Sequence, residues 1–200
     1  VYQSIRHSKN IGKGVNITHK NISNEVKELS DSINDFKQMK NIYKVIPECQ
    51  TNFVFAKKNP KSVMDVLGIS GRLVKSGREV VTAGEIVYGG SQHVGTAVIQ
   101  VCKKFPGIRS GLNIKYEPKI ISNAKKSNFT VLNYDRSKEP KKSKQKENSS
   151  ISWGISNCLN SKSPDIIYHK GDIGKEPMIL IFGNNPSEII QKVSKLRLAH

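Results

Sequence analysis

The sequence predicts a layered α/β protein built around a mixed sheet. Three observations carry that expectation. Segments with helical periodicity alternate with short apolar, strand-like segments along the 200 residues. Hairpin-like pairs interrupt the alternation, as in GRLVKSGREVV and in the two neighbouring strands 165–169 and 178–183, so the sheet cannot be purely parallel. Hydrophobic content is 36% and charged content 24%, which suits a globular chain large enough for one core. No internal repeat is present.

The elements follow in order. Ile22, Val26, Leu29, Ile33 and Phe36 form one amphipathic stripe, with Ser23 as its cap. This is a single helix, not a helix-turn-helix pair. Asn59-Pro60 has the signature of a helix start, and Val63, Val66 and Leu67 follow on one face before Gly68 stops it. GRLVKSGREVV alternates about Ser76-Gly77 and predicts a hairpin. His93, Ala97, Val101 and Phe105 recur every four residues in a buried helix that ends at Pro106-Gly107. LNIKY (112–116) is a strand, and Glu117-Pro118 opens a helix carrying Ile120, Ile121 and Ala124. FTVLNY (129–134) is a strand, and Trp153, Ile155, Cys158 and Leu159 mark a short helix. DIIYH (165–169) and MILIFG (178–183) are strands. Asn185-Pro186 then starts a last helix with Ile189, Ile190, Val193 and Leu196 inward.

The net charge of +17 favours anionic partners. Part of it is local: residues 136–146, RSKEPKKSKQK, hold six bases and one acid and are expected to be a solvated, mobile loop. Cys49, Cys102 and Cys158 form no CxxC pair, which speaks against a disulfide framework or a zinc site and for a reducing cytoplasm. No apolar run approaches the roughly 18 residues of a membrane helix, and VYQSIRHSKN is not a secretory leader. The first residue is not methionine, which hints at sequence upstream.

Five histidines (His7, His19, His93, His169 and His200) form neither HxH nor HExxH, and no GxSxG elbow occurs. IGKGVN (11–16) lacks the spacing of a P-loop. The stretch YGGSQHVG (88–95) is more informative. Gly89, Gly90, Ser91 and Gln92 precede His93 at a helix start, where glycines let a ligand approach backbone and first-turn amides favour anions. Two readings of His93 stand: a polar residue satisfied at a helix start, or a working group at an anion site. Arg72 follows Ser70-Gly71 at a strand start, and two readings stand: an ordinary surface arginine, or a bidentate phosphate donor projecting into a cleft. The loop HKGDIGKEP (169–177) sets Asp172, Gly174, Lys175 and Glu176 between two strands, and it reads either as an ordinary charged loop or as a site for a diphosphate and a hydrated magnesium. Asn113, Lys115, Asp135 and Arg136 also lie at strand ends.

In order, IPECQTNFVFA (46–56), SGRLV (70–74), GGSQHV (89–94), LNIKY (112–116), YDR (134–136), SWG (152–154) and PDIIYHKGDIGKEPMI (164–179) resemble the archaeal thiamine-phosphate synthase domain. That domain is usually fused behind a hydroxymethylpyrimidine (phosphate) kinase. IRHSKNIGKGVN looks like the end of such a kinase. The resemblance implies three parts: a kinase remnant at 1–23, a connector helix at 24–44 and the synthase domain at 45–200. It implies a three-layer α/β/α sandwich around a mixed sheet, related to class II aldolases. It implies that hydroxymethylpyrimidine diphosphate is joined to hydroxyethylthiazole phosphate, giving thiamine phosphate and pyrophosphate. The family's important arginine and histidine fall on Arg72 and His93. Gln92, Gly95 and the lysine-rich run depart from the family pattern. Phosphorylated small molecules are the expected partners, with magnesium accompanying the diphosphate, and no nucleic acid or membrane. A dimer is expected if the stripe on the 22–40 helix is exposed, and a kinase domain in cis or as a separate chain is a further expected partner. The competing reading is a thiamine-phosphate sensor of a transcriptional regulator. The single N-terminal helix and the retained Arg72 and His93 argue against it. A metal-dependent aldolase would lack its histidine ligands.

Overall fold

The structure, a computed structural model, describes residues 23–140 and 149–196. Seven strands form one sheet, in the order β5 (Ile86–Tyr88), β2 (Val66–Ile69), β1 (Phe53–Ala56), β6 (Ser110–Lys115), β9 (Met178–Gly183), β8 (Ile166–His169) and β7 (Val131–Asn133). Every neighbouring pair is antiparallel except β7 and β8, which makes the sheet mixed. The hairpin β3 (Arg72–Ser76) and β4 (Glu79–Ala83) stands apart from it. Its two-residue turn places Gly77 at φ 61, a left-handed value that glycine adopts without steric cost.

Strand periodicity sorts the core into two layers. Phe53, Leu112, Ile181 and Ile166 lie in register across four strands and belong to one apolar cluster. Helices α1 (Asn24–Gln38), α3 (Pro118–Lys126) and α5 (Pro186–Lys195) cover that face through Leu29 and Phe36, Ile120 and Ala124, and Ile189 and Val193. The alternate residues Val54, Ile167, Leu180 and Phe182 face the other way, under α2 (Gln92–Lys104) and α4 (Ser149–Cys158). This is the α/β/α sandwich expected from the resemblance.

Ser23 caps α1 by accepting from the Val26 amide at 3.4 Å. The α1 stripe is buried against the chain's own sheet and α5, so the premise for self-association through that face is gone. The expected helix after Asn59-Pro60 is also absent. A capping box between Ser62 and Asp65 starts only a single 3-10 turn, Val63–Asp65. Val66–Ile69 then pairs with β1 and β5, and Gly68 lies inside that strand. Cross-strand pairing of Leu67 with Phe55 and of Ile69 with Ile86 overrides the local helix signal.

The basic run corrects another expectation. Arg136 and Glu139 are buried and lie 3.6 Å apart, in the 3-10 turn Arg136–Lys138 and its cap. The run therefore begins inside the fold. Its remainder from 141 to 146 lies outside the described residues, as do the kinase-like segment up to residue 22 and the histidines His7, His19 and His200. No helix among the described residues is long and apolar enough to cross a membrane.

Candidate functional site

Register builds the site. Lys115 at the end of β6, Met178 at the start of β9 and His169 at the end of β8 are paired across three strands. Asn52 immediately precedes β1, and Arg136 follows β7. These residues rim one end of the sheet, and a cleft of about 930 Å³ opens there. Of the sequence candidates, Arg72, Ser91, His93, Asn113, Lys115, Arg136, Asp172, Gly174, Lys175 and Glu176 line it. Gly89, Gly90, Gln92 and Asp135 do not.

The glycine cradle is corrected in detail. The Gly89 amide donates to Val66 O at 2.9 Å and the Gly90 amide to Val87 O at 3.3 Å. A Cβ on Gly90 would meet Gly68 O at 2.3 Å. Both glycine amides are thus engaged by backbone, and neither glycine lines the cleft. The amides that a helix start leaves without an intrahelical partner lie instead in the first turn of α2. The first helical bond runs from Gly95 N to Ser91 O, and Ser91, the N-cap, makes no side-chain cap bond. The preceding amides therefore begin the helix without that partner, at the wall carrying Ser91, His93 and Val94. Asp135 accepts from Ser137 N at 2.9 Å and caps the turn that carries Arg136.

Two other candidates hold the cleft together. Asn113 accepts from Asn52 N at 2.7 Å and donates to Gln50 O at 2.9 Å. Asn52, which sequence reasoning missed, exchanges bonds with Ile69 N and O and donates to Gly71 O at 3.2 Å. This buried pair ties β6 and β1 to the corner from which Arg72 emerges. Glu176 uses both oxygens, accepting from Glu48 N at 2.8 Å and Cys49 N at 2.9 Å. Burial opposes its ionisation, but these donors, the Cys49 thiol and Lys115 hold the carboxyl below its ordinary range. Burial and the Glu176 carboxylate push the Cys49 thiol up to about 12.

The remaining wall is cationic. Arg72, partly buried, donates to Gly71 O at 2.7 Å. Arg72, Lys175, Arg136 and Lys115 share the cleft with His93 and with His169, the second residue missed from the sequence. Burial lowers His93 to about 4, assisted by the charges of Arg136, Arg72 and Lys175. Burial, Arg136 and His93 push His169 down to about 3. Both rings are therefore neutral at pH 7. Arg72 and His93 share one cleft, as their proposed cooperation requires.

A resident metal fits poorly. No three His, Cys, Asp or Glu side chains gather as a cage among the described residues. Glu176 is engaged by amides, and Asp172 accepts from Ile173 N at 2.9 Å.

Fold and site define a class II aldolase-like α/β/α domain with a cation-lined cleft at one end of its sheet. The fold is shared with an aldolase II superfamily protein from Pseudomonas syringae at TM-score 0.52 and 13% identity, over 88% of this chain and 74% of that one. The chain belongs to the thiamine-phosphate synthase family, whose model, "Thiamine-phosphate synthase ThiN", matches residues 28–195. It is 38% identical over 154 residues to the "Thiamine-phosphate synthase ThiN" of Methanothermobacter thermautotrophicus, covering 76% of this chain and 81% of that protein. It is 32% identical over 204 residues to the "Bifunctional thiamine biosynthesis protein ThiDN" of Methanocaldococcus jannaschii, covering 98% of this chain but 46% of that protein. The solved C-terminal domain of a phosphomethylpyrimidine kinase matches at TM-score 0.81 and 40% identity, over 86% of this chain and 97% of that one.

Proposed function

We propose that this chain condenses hydroxymethylpyrimidine diphosphate with hydroxyethylthiazole phosphate, releasing pyrophosphate and thiamine phosphate. The observation that carries the reading is the gathering of Arg72, Arg136, Lys175 and the first turn of α2 around His93 in one cleft. The chemistry needs such a wall. The bond from the methylene carbon to the diphosphate oxygen breaks, and its electron pair leaves with pyrophosphate. The electron-rich aminopyrimidine stabilises the resulting cation, and the thiazole nitrogen lone pair then forms the new carbon–nitrogen bond. Preorganised cations and amides aimed at the departing oxygen lower this barrier. Holding both substrates in one cleft converts the second step into a local one.

Arg72 is assigned to the leaving diphosphate or the thiazole phosphate, and Lys175 to a phosphate beside it. His93 sits at the mouth of α2 as a neutral hydrogen-bonding group against the leaving group. Magnesium enters with the diphosphate as part of the substrate. Asn113 and Glu176 shape the cleft and hold its loops.

The test is direct. The purified chain, given both substrates and magnesium, should form thiamine phosphate and pyrophosphate in equal amounts. Folded protein that binds thiamine phosphate but forms none would refute the reading. His93→Asn should lower turnover while product binding persists. Unchanged turnover would reduce His93 to a helix-start residue.

A further inference from the structure

Three buried nitrogen atoms near the cleft floor have no hydrogen-bond partner among the described residues: His93 Nε2, Arg136 Nε and His169 Nε2. The buried Tyr134 hydroxyl lies beside them, against the Arg136 side chain. Buried polar atoms are rarely left unpaired, and a cluster of them marks where water, an ion or a ligand completes the set. Tyr134, Arg136 and His169 are 6%, 6% and 2% exposed. All three come from the ends of the neighbouring strands β7 and β8. The Tyr134 and His169 rings are 5.2 Å apart, and Tyr134 is fixed from behind by Gly154, where a Cβ would meet its ring at 2.3 Å.

The hydrogen-bond pattern settles what His169 offers. Gly171 N–H donates to His169 Nδ1 at 3.2 Å, so that nitrogen carries the lone pair. The ring is neutral, held so by burial and by the Arg136 charge. Its single proton therefore resides on Nε2, the unpartnered atom. Arg136 Nε is likewise a donor under all conditions. The floor thus presents two buried N–H donors, one of them charged, with a hydroxyl behind. An anionic oxygen satisfies both donors at once.

We propose that His169 is a further substrate-binding residue: its Nε2–H and the Arg136 Nε–H, backed by the Tyr134 hydroxyl, form a floor pocket for an anionic phosphoryl oxygen. This rests on the synthase reading and deepens it, by adding a phosphate subsite at the sheet end to the one at α2. The oxygen comes from either the pyrimidine's diphosphate or the thiazole's monophosphate, and the experiment separates them.

The full chain, labelled with 15N-histidine, is titrated with inorganic pyrophosphate and, separately, with thiamine phosphate. Binding is followed calorimetrically, and the His169 imidazole by long-range 1H–15N correlation. One of the two ligands should move the Nε2 resonance with its binding curve, while Nδ1 remains the unprotonated nitrogen. A response to pyrophosphate assigns the subsite to the diphosphate, and a response to thiamine phosphate assigns it to the monophosphate. His169→Asn keeps an acceptor for Gly171 but removes the floor donor, and should weaken the responding ligand by about tenfold or more. His169→Gln places an amide N–H near Nε2 and should recover most of that loss. Saturating binding of both ligands with an unmoved Nε2 resonance overturns the proposal. Product formation by the wild type with a silent His169 leaves the synthase reading standing and removes only the subsite. A responsive His169 without product does the reverse.

Discussion

Acidification from pH 7 to pH 5 should cost this protein much of its stability through two histidines. In the unfolded chain each titrates near about 6.5, whereas in the fold His93 is lowered to about 4 and His169 to about 3. Both folded values are depressed, so the stability they contribute is complete above pH 6.5 and is lost as pH falls toward 4. Within that window the unfolded state binds two protons that the native state refuses. The slope is ~1.4 kcal/mol per pH unit per histidine, which integrates to ~4 kcal/mol for the pair between pH 7 and pH 5. A typical domain has only about 5–15 kcal/mol in total. Urea unfolding at pH 7, 6 and 5 reads the loss as a falling midpoint. The carboxylates held low, Glu176, Asp65 and Asp135, protonate below this window and do not obscure it. The double variant His93→Gln/His169→Gln should lose most of the slope, and histidines outside the described residues cancel in the comparison. An unchanged midpoint from pH 7 to 5, or the same slope in the double variant, would refute the reasoning.

Arg72→Ala removes the charge-assisted contact to phosphate proposed for it, worth ~1.5–3 kcal/mol, so turnover should fall at least about tenfold with an unchanged melting temperature. Arg136→Met removes the cation 3.6 Å from the buried Glu139 carboxylate, which keeps the Ser150 hydroxyl as a donor, and should destabilise the fold by about 3–5 kcal/mol in thermal or urea unfolding. Adding Glu139→Gln should restore a large part of that loss. Gly90→Val drives a side chain into Gly68 O, so it should reduce soluble, folded protein before any change in substrate affinity is measurable.

Much of the helical frame was legible because capping and periodicity are local. Ser23, Pro118 and Asn185 sit where the chain turns into helix, and the inward stripes of α1, α2, α3 and α5 are those the spacing gives. The central strands were harder. Phe53–Ala56 is buried on both faces, so its sequence has no period-2 signal. Val66–Ile69 followed a local helix signature that only sheet pairing overrides. Within the site, Arg72 and His93 were legible from glycine-bearing turns, and the 172–176 loop from its composition. His169 and Asn52 were not, because their meaning is register: His169 becomes a floor residue only when β8, β9 and β6 align it with Met178 and Lys115. Arg136 hid in a lysine-rich run whose average character is solvated, while its own side chain is buried. The glycines before His93 misled in the other direction. Gly90 lacks a Cβ because it packs against Gly68 of β2, Gly89 holds a left-handed φ of 77, and the first-turn amides of α2 lie just after them.

The central claim is that the cleft at the sheet end binds both phosphorylated partners. A crystal structure of the chain with thiamine phosphate, pyrophosphate and magnesium tests it most directly. The account predicts phosphate oxygens within hydrogen-bond distance of Arg72 and of the first-turn amides of α2, with the pyrimidine and thiazole rings inside the same cleft. Phosphate density confined to the separate surface groove of Lys58, Arg109 and Asn185, with the Arg72–His93 cleft holding no part of either product, would contradict it.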